Sequence, residues 1–457
     1  MRIKRILALL SVILIIITLF AGCKKTATDD PTDKGSETDN LTKSGKIKIN
    51  LWSFTDEIPT MTERFLELNP DIDEKYEFDI TIISTTESAY QPALDKALTE
   101  GGSNAPDIYA AEAAFVLKYT QGDMAEYAAP YSSLGIDVAK LIIESKIAQY
   151  TVDIGTRSDS EIVGLGYQAT GAAMIYRRSI AIDVFGTDDP EVIKTKVGPG
   201  WDRFFEAAAE LKEKGYGIVS SDGDIWHGIE NSADTGWILN GKLHIDPKRE
   251  KFLDYSKLLM DMDWHNNTED WQEGWFADIA GTGPKQIFSF FGPAWLINYV
   301  MGGNAGKTFG DWAVCEPPVG FYWGGTWLLA NKDTTKSEVV GRFIEWVTLD
   351  NSDTGLQYYW ANGTLYGDGG TKDTVGSGTV MERSNGEIEF LNGQNMFDVF
   401  VPASAYANGK NMTQYDEVIN QIWRDEVGNY SSGTVSREEA LENFKNRVEE
   451  TLGITSE

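Results

Sequence analysis

Polar and apolar residues alternate strictly from Lys46 to Leu51, which predicts a strand with Ile47, Ile49 and Leu51 on one face. A helical spacing follows. Ile58-Pro59 opens it, Met61, Phe65 and Leu68 share a stripe, and Asn69-Pro70 stops it. Asp79 to Ile83 predicts a second strand, Tyr90 to Glu100 a helix ended by Gly101-Gly102, and Pro106 to Tyr109 a third, short strand. This order predicts a parallel α/β sheet with right-handed crossovers, and ligands in such sheets sit beyond the carboxyl ends of the strands. Trp52 to Glu57 and the residues after Tyr109 occupy those ends. Farther on, Trp201 to Lys214 reads as an amphipathic helix with Asp202 as N-cap and Gly215 as its stop, and Ser337 to Leu349 as another. Ser436-Arg437-Glu438-Glu439 forms a capping box for the last helix. That helix carries Ala440, Leu441, Phe444, Val448 and Leu452 on one stripe before Gly453. Residues 361–386, rich in Gly, Thr and Asp, predict a long loop.

The N-terminus has a different pattern. Arg2, Lys4 and Arg5 precede an apolar run from Ile6 to Phe20, and Ala21-Gly22-Cys23 follows. A basic start, a short apolar core and small residues describe a secretory signal over 1–22. The run spans about 22 Å at 1.5 Å per residue, short of the ~30 Å hydrocarbon core of a bilayer. Ala-Gly-Cys resembles a bacterial lipobox, which implies signal removal and lipidation of Cys23; Phe20 stands where that pattern prefers Leu. One large apolar residue, Leu41, occurs in the stretch that follows, so residues 23–45 predict a lipidated, disordered tether.

The remaining chain exceeds the size at which single cores divide, so two lobes are expected. Cys315 has no cysteine to pair with once Cys23 is acylated, and it reads as a small buried hydrophobe. The chain carries 40 basic and 70 acidic residues, and loss of the signal removes three basic residues and no acid. So acidic a surface repels phosphate backbones and excludes nucleic acid as a partner. Fourteen Trp, 19 Tyr and 20 Phe are present, and several Trp fall in Gly-rich, polar surroundings unusual for a core.

Nucleotide and catalytic motifs fail on inspection. Gly302-Gly303-Asn304-Ala305-Gly306-Lys307-Thr308 mimics a P-loop, yet Met301 holds the required first glycine position and a helix-like stretch precedes it. Gly164-Leu165-Gly166-Tyr167-Gln168-Ala169 fits a loose dinucleotide fingerprint but opens no convincing helix. His227, His244 and His265 are scattered without metal spacing. No metal or cofactor is expected. No nucleophile elbow or zincin motif is present, although a pair of hydrolytic carboxylates could hide among so many acids.

Several segments, in order, resemble an extracellular solute-binding protein of an ABC importer, in the carbohydrate-binding group that includes maltose-binding protein. They are Ile49 to Glu57, Ala105 to Tyr109, Gly164 to Gln168, Gly200 to Glu206, Phe291 to Trp295 and Trp323 to Trp327. The resemblance runs from about Lys46 to Gly453. It implies an α/β fold of two lobes with a ligand cleft between them, lobe one being 46–167 plus 326–362 and lobe two 168–325 plus 363–457. It implies capture of an oligosaccharide outside the membrane and delivery to a permease pair driven by a cytoplasmic ATPase. The chain is then a lipid-anchored monomer on the extracytoplasmic face of the bacterial membrane, and not an enzyme. A sugar-sensing lipoprotein serving a signalling receptor would need the same cleft, and a secreted carbohydrate-active enzyme is the remaining alternative.

A sugar offers two C–H faces and a rim of hydroxyls, so its pocket needs aromatic planes and a few placed acids or amides. By the resemblance, Asp56 and Glu57 after the first strand and Glu112 after the third bind hydroxyls. Tyr167 and Gln168 fall where the chain first crosses between lobes. Trp295, after Gly292-Pro293, is the expected stacking platform. Trp323 and Gly325 sit near the second crossing, Trp226 lies in lobe two, and Gln394 and Asn395 supply late amides. An Arg clamp of the kind that holds an amino-acid carboxylate is missing near these strands.

Overall fold

The computed structural model describes residues 41–85 and 89–456. The expected signal, Cys23 and most of the tether lie outside them. Leu41 bridges to Ile47. Among the described residues no helix is long and apolar enough to cross a membrane.

The strands are β1 (Ile47–Ser53), β2 (Tyr76–Ile82), β3 (Ile108–Glu112), β4 (Gly164–Gly166), β5 (Ala173–Arg177), β6 (Ile238–Leu239), β7 (Lys242–Leu243), β8 (Ser289–Gly292), β9 (Trp312–Cys315) and β10 (Thr326–Ala330). They form a five-stranded sheet in the order β2-β1-β3-β10-β4, a three-stranded sheet β8-β5-β9, and a small β6-β7 ladder. β1 runs parallel to β2 and β3, as the alternation of strands and helices predicts. β10 joins late and antiparallel, between β3 and β4.

Successive residues of these strands feed opposite faces. Ile49, Leu51, Ile108, Ala110, Leu328 and Ala330 share one core with the helices Glu57–Leu68 and Ser337–Thr348. Tyr109, Ala111, Trp327 and Leu329 share another with the helix Tyr90–Glu100. Both faces of the sheet are covered, as in parallel-type sheets. The second sheet divides in the same way. Met174, Tyr176, Ala313 and Cys315 enter one core, and Ala173, Ile175, Trp312 and Val314 another. Cys315 is the buried free thiol that its isolation predicts. Two sheets with separate cores make two lobes. The chain leaves the first sheet after β4, enters the second at β5, and returns from β9 to β10.

Some local expectations need correction. β2 starts at Tyr76, and β3 runs on to Glu112. The helix Trp201–Glu213 is preceded by Gly200 at φ 83°, a left-handed conformation that suits glycine. Asp202 therefore lies in the first turn and is not the cap. The expected loop 361–386 contains the helix Gly378–Glu382. Ser436 and Glu439 do form the reciprocal capping box of the helix Arg437–Leu452.

Candidate functional site

The carboxyl end of β3 meets residues of the second sheet's lobe at a cavity. β3 ends at Glu112, whose Oε2 accepts the Ala114 N–H at 2.7 Å. Burial pushes the Glu112 carboxyl up to about 7, the Ala114 bond pulls it back, and Glu417 from the facing lobe raises it further. Glu112 to Ala114 form one wall of a cavity of about 720 Å³. Tyr322, Trp323 and Gly324 of the return crossing line it as well. His227, Asp270, Trp271 and Glu417 of the second lobe face them.

An aromatic cluster shapes this cavity. Trp323 stacks on His227 with centroids 4.7 Å apart and meets Trp295 edge-on at 4.8 Å. Trp295 Nε1 donates to the Trp323 carbonyl at 3.1 Å. Trp271 lies parallel to Trp295 at 8°, with centroids 6.2 Å apart. Trp271 is 50% exposed and its φ is 67°. A bulky residue in left-handed backbone is strained, and such strain persists only where the surroundings hold it. The crossing needs its glycines. Gly324 has φ 71°, and a Cβ there would lie 3.5 Å from Trp295 Nε1 and 3.6 Å from Glu112 Oε1. Gly325 has φ 112°, and its carbonyl accepts the Ala113 N–H at 3.0 Å. Glu112, Trp295, Trp323 and Gly325 thus meet at one corner, but only Glu112 and Trp323 of these line the cavity; Gly324 lines it in place of Gly325, and Trp295, the expected platform, packs against Trp271 and Trp323 instead.

Trp226 also lines the cavity, but it is 1% exposed and packs on Phe252. Its neighbour His227 presents the ring to Trp323. Glu57 enters a different cluster. Its carboxyl is pushed up to about 8, by burial first and then by Asp373 and Asp56. Gln168 Nε2 donates to Asp373 Oδ2 at 3.3 Å, and burial pushes Asp373 up to about 7. Tyr167 is buried edge-on against Trp360. Asp56 is exposed at the start of the helix Glu57–Leu68, where its carbonyl accepts the Thr60 N–H.

The late amides are engaged elsewhere. Gln394 accepts from the Val314 N–H at 2.9 Å and donates to the Val314 carbonyl at 2.8 Å. β9 is an edge strand, and Gln394 satisfies its open side. Asn395 accepts from the N–H groups of Gly386 and Phe397 and donates to Asp398. Sequence reasoning missed Trp271, His227, Asp270 and Glu417. Only Trp271 left a signal there, as a Trp amid the polar run Thr268 to Gly274.

Known proteins share this fold. A crystal structure of an extracellular solute-binding protein of family 1 superposes with a TM-score of 0.72 at 17% identity, over 88% of this chain and 99% of that one. The sugar-binding protein MalE from Xanthomonas citri gives 0.68 at 14%, over 89% and 97%. The galacto-N-biose/lacto-N-biose I-binding protein of an ABC transporter from Bifidobacterium longum, solved with lacto-N-biose, gives 0.65 at 14%, over 90% and 99%. These likenesses establish the two-lobe binding-protein fold. No curated sequence matches the chain. Residues 52–352 match the family described as bacterial extracellular solute-binding protein, and the chain belongs to that family.

Proposed function

We propose that the protein captures an oligosaccharide in the cleft between its lobes and hands it to an ABC permease pair without altering it chemically. The observation that carries this reading is the cavity itself. Its tryptophan faces and flanking carboxylates match the two faces and hydroxyl rim of a sugar ring. In this reading Trp271 and Trp323 cover ring faces and Trp295 braces them. Glu112 and Glu417 take hydroxyls from opposite lobes. Glu57, Gln168 and Asp373 form a second polar group for a longer ligand. The sugar-bound relative supports the ligand class.

The lobes comprise 46–167 plus 326–362 and 168–325 plus 363–457, and closure is a hinge motion at the crossings. Cys23 carries the lipid that holds the monomer at the extracytoplasmic face. Titration with α- and β-linked oligosaccharides, followed by intrinsic tryptophan fluorescence, tests this reading. Saturable change with one glycan class, and no product on prolonged incubation, is expected. Absence of any response to saccharides refutes it.

A further inference from the structure

The cavity holds more negative charge than a neutral saccharide needs. Eight of its lining residues are Asp or Glu, against Arg424 and His227. Some are balanced. Arg424 lies 3.4 Å from Asp270 and Arg447 reaches Asp425 at 2.8 Å, while Glu230 is hydrogen-bonded by the Asn420 amide and the His227 ring. Glu112, Asp416 and Glu417 carry no ion pair among the described residues; Arg249 and Arg424 act on Asp416 and Glu417 only at longer range. Asp416 is 3% exposed. Its Oδ1 accepts Thr413 N–H and Oγ1–H at 3.1 and 2.7 Å, while its Oδ2 accepts nothing among the described residues. Burial pushes Glu112 and Asp416 up to about 7; Glu417, exposed at the cleft mouth, is raised in the same direction by partial desolvation and by Glu230. The start of the helix Asp416–Ser431 favours acids at Asp416 and Glu417, but it gives no reason for a third acid across the cleft at Glu112.

We infer that the cavity selects a saccharide bearing a protonated amine, an amino sugar whose ammonium sits between Glu112 of one lobe and Asp416 and Glu417 of the other. This rests on the saccharide reading of the same cavity. An ammonium donates three hydrogen bonds and supplies the charge that these carboxylates lack. The faces of Trp271 and Trp323 favour a cation as well. A cation held by both lobes binds the closed form better than the open one and so drives closure.

The test is calorimetric titration of the purified protein at neutral pH and low salt with matched saccharides. Each set has a neutral sugar, its 2-amino counterpart and the N-acetylated form, as mono- and disaccharides of α and β linkage in the gluco and galacto series. The amine should bind about tenfold or more tighter than both partners. Added salt should erode that margin by screening. Glu112→Gln and Glu417→Gln, checked for folding by their thermal midpoints, should each cut the margin at least severalfold. Amines that bind no tighter than neutral partners overturn the inference and leave the saccharide reading standing. A margin that survives both variants overturns it too. Silence from every saccharide removes the saccharide reading, and the inference with it.

Discussion

Trp271→Ala is the most informative single change, because half of this side chain is exposed in the cleft while its backbone is held in a strained conformation. A Trp side chain offers at most about 250 Å², so roughly half of that is available to a ligand. Covering all of it at ~25 cal/mol per Å² would contribute about 3 kcal/mol. A sugar covers one face, which brings the expected loss to about 1–1.5 kcal/mol, or about tenfold in Kd. Aromatic stacking of nucleic-acid bases falls in the same range, ~1–3 kcal/mol per ring. The variant should fold normally, with a thermal midpoint lowered by no more than about 3 °C, since half of the lost surface faces solvent. Calorimetric titration with the best oligosaccharide measures the effect. A Kd within twofold of the parent, with the fold intact, would refute Trp271 as a stacking platform.

The buried carboxyls give stability a pH dependence. Glu57 sits at about 8 in the folded protein against 4.5 when free, so the folded state holds its proton longer than the unfolded state does. The stability from this group is fully present below about 4.5 and lost as pH rises through about 8; Asp373 adds the same trend. The melting temperature should fall from about pH 5 to about pH 8, and Glu57→Gln should flatten that slope; a parent slope kept in the variant would contradict the assignment. Gly324→Ala places a Cβ at φ 71° beside Trp295 and Glu112 and should destabilise by about 1–2 kcal/mol in urea unfolding, with weaker sugar binding as well. Ser436→Ala removes the capping box and should cost about 1 kcal/mol without changing affinity, which denaturation and titration together check.

Local chemistry was legible in the sequence wherever neighbours in the chain decide the outcome. The alternation before Leu51, the helix Tyr90–Glu100 and the Ser436 capping box depend on residues a few positions apart. Glu112 was named by the resemblance, although the strand that delivers it runs three residues beyond its expected end at Tyr109. The rest of the cavity comes from residues far apart in sequence. Glu112 meets Glu417 only through tertiary packing. Core and cleft tryptophans look alike in sequence. Trp226 and Trp271 both lie in polar stretches, yet one is buried on Phe252 and the other half exposed. Gln394 shows the converse limit. Its amide could have served a sugar, but an open strand edge at Val314 takes it, and that edge exists only after the sheet has formed.

The central claim is that the cleft binds a saccharide. Its most direct test is thermal unfolding of the protein against α- and β-linked oligosaccharides, with amino acids and peptides as controls, because a ligand of the native state raises the midpoint in proportion to the logarithm of its excess over Kd. A rise with one glycan class and none with the controls is expected. A rise with an amino acid or peptide and with no saccharide would keep the two-lobe fold and contradict the function assigned to it.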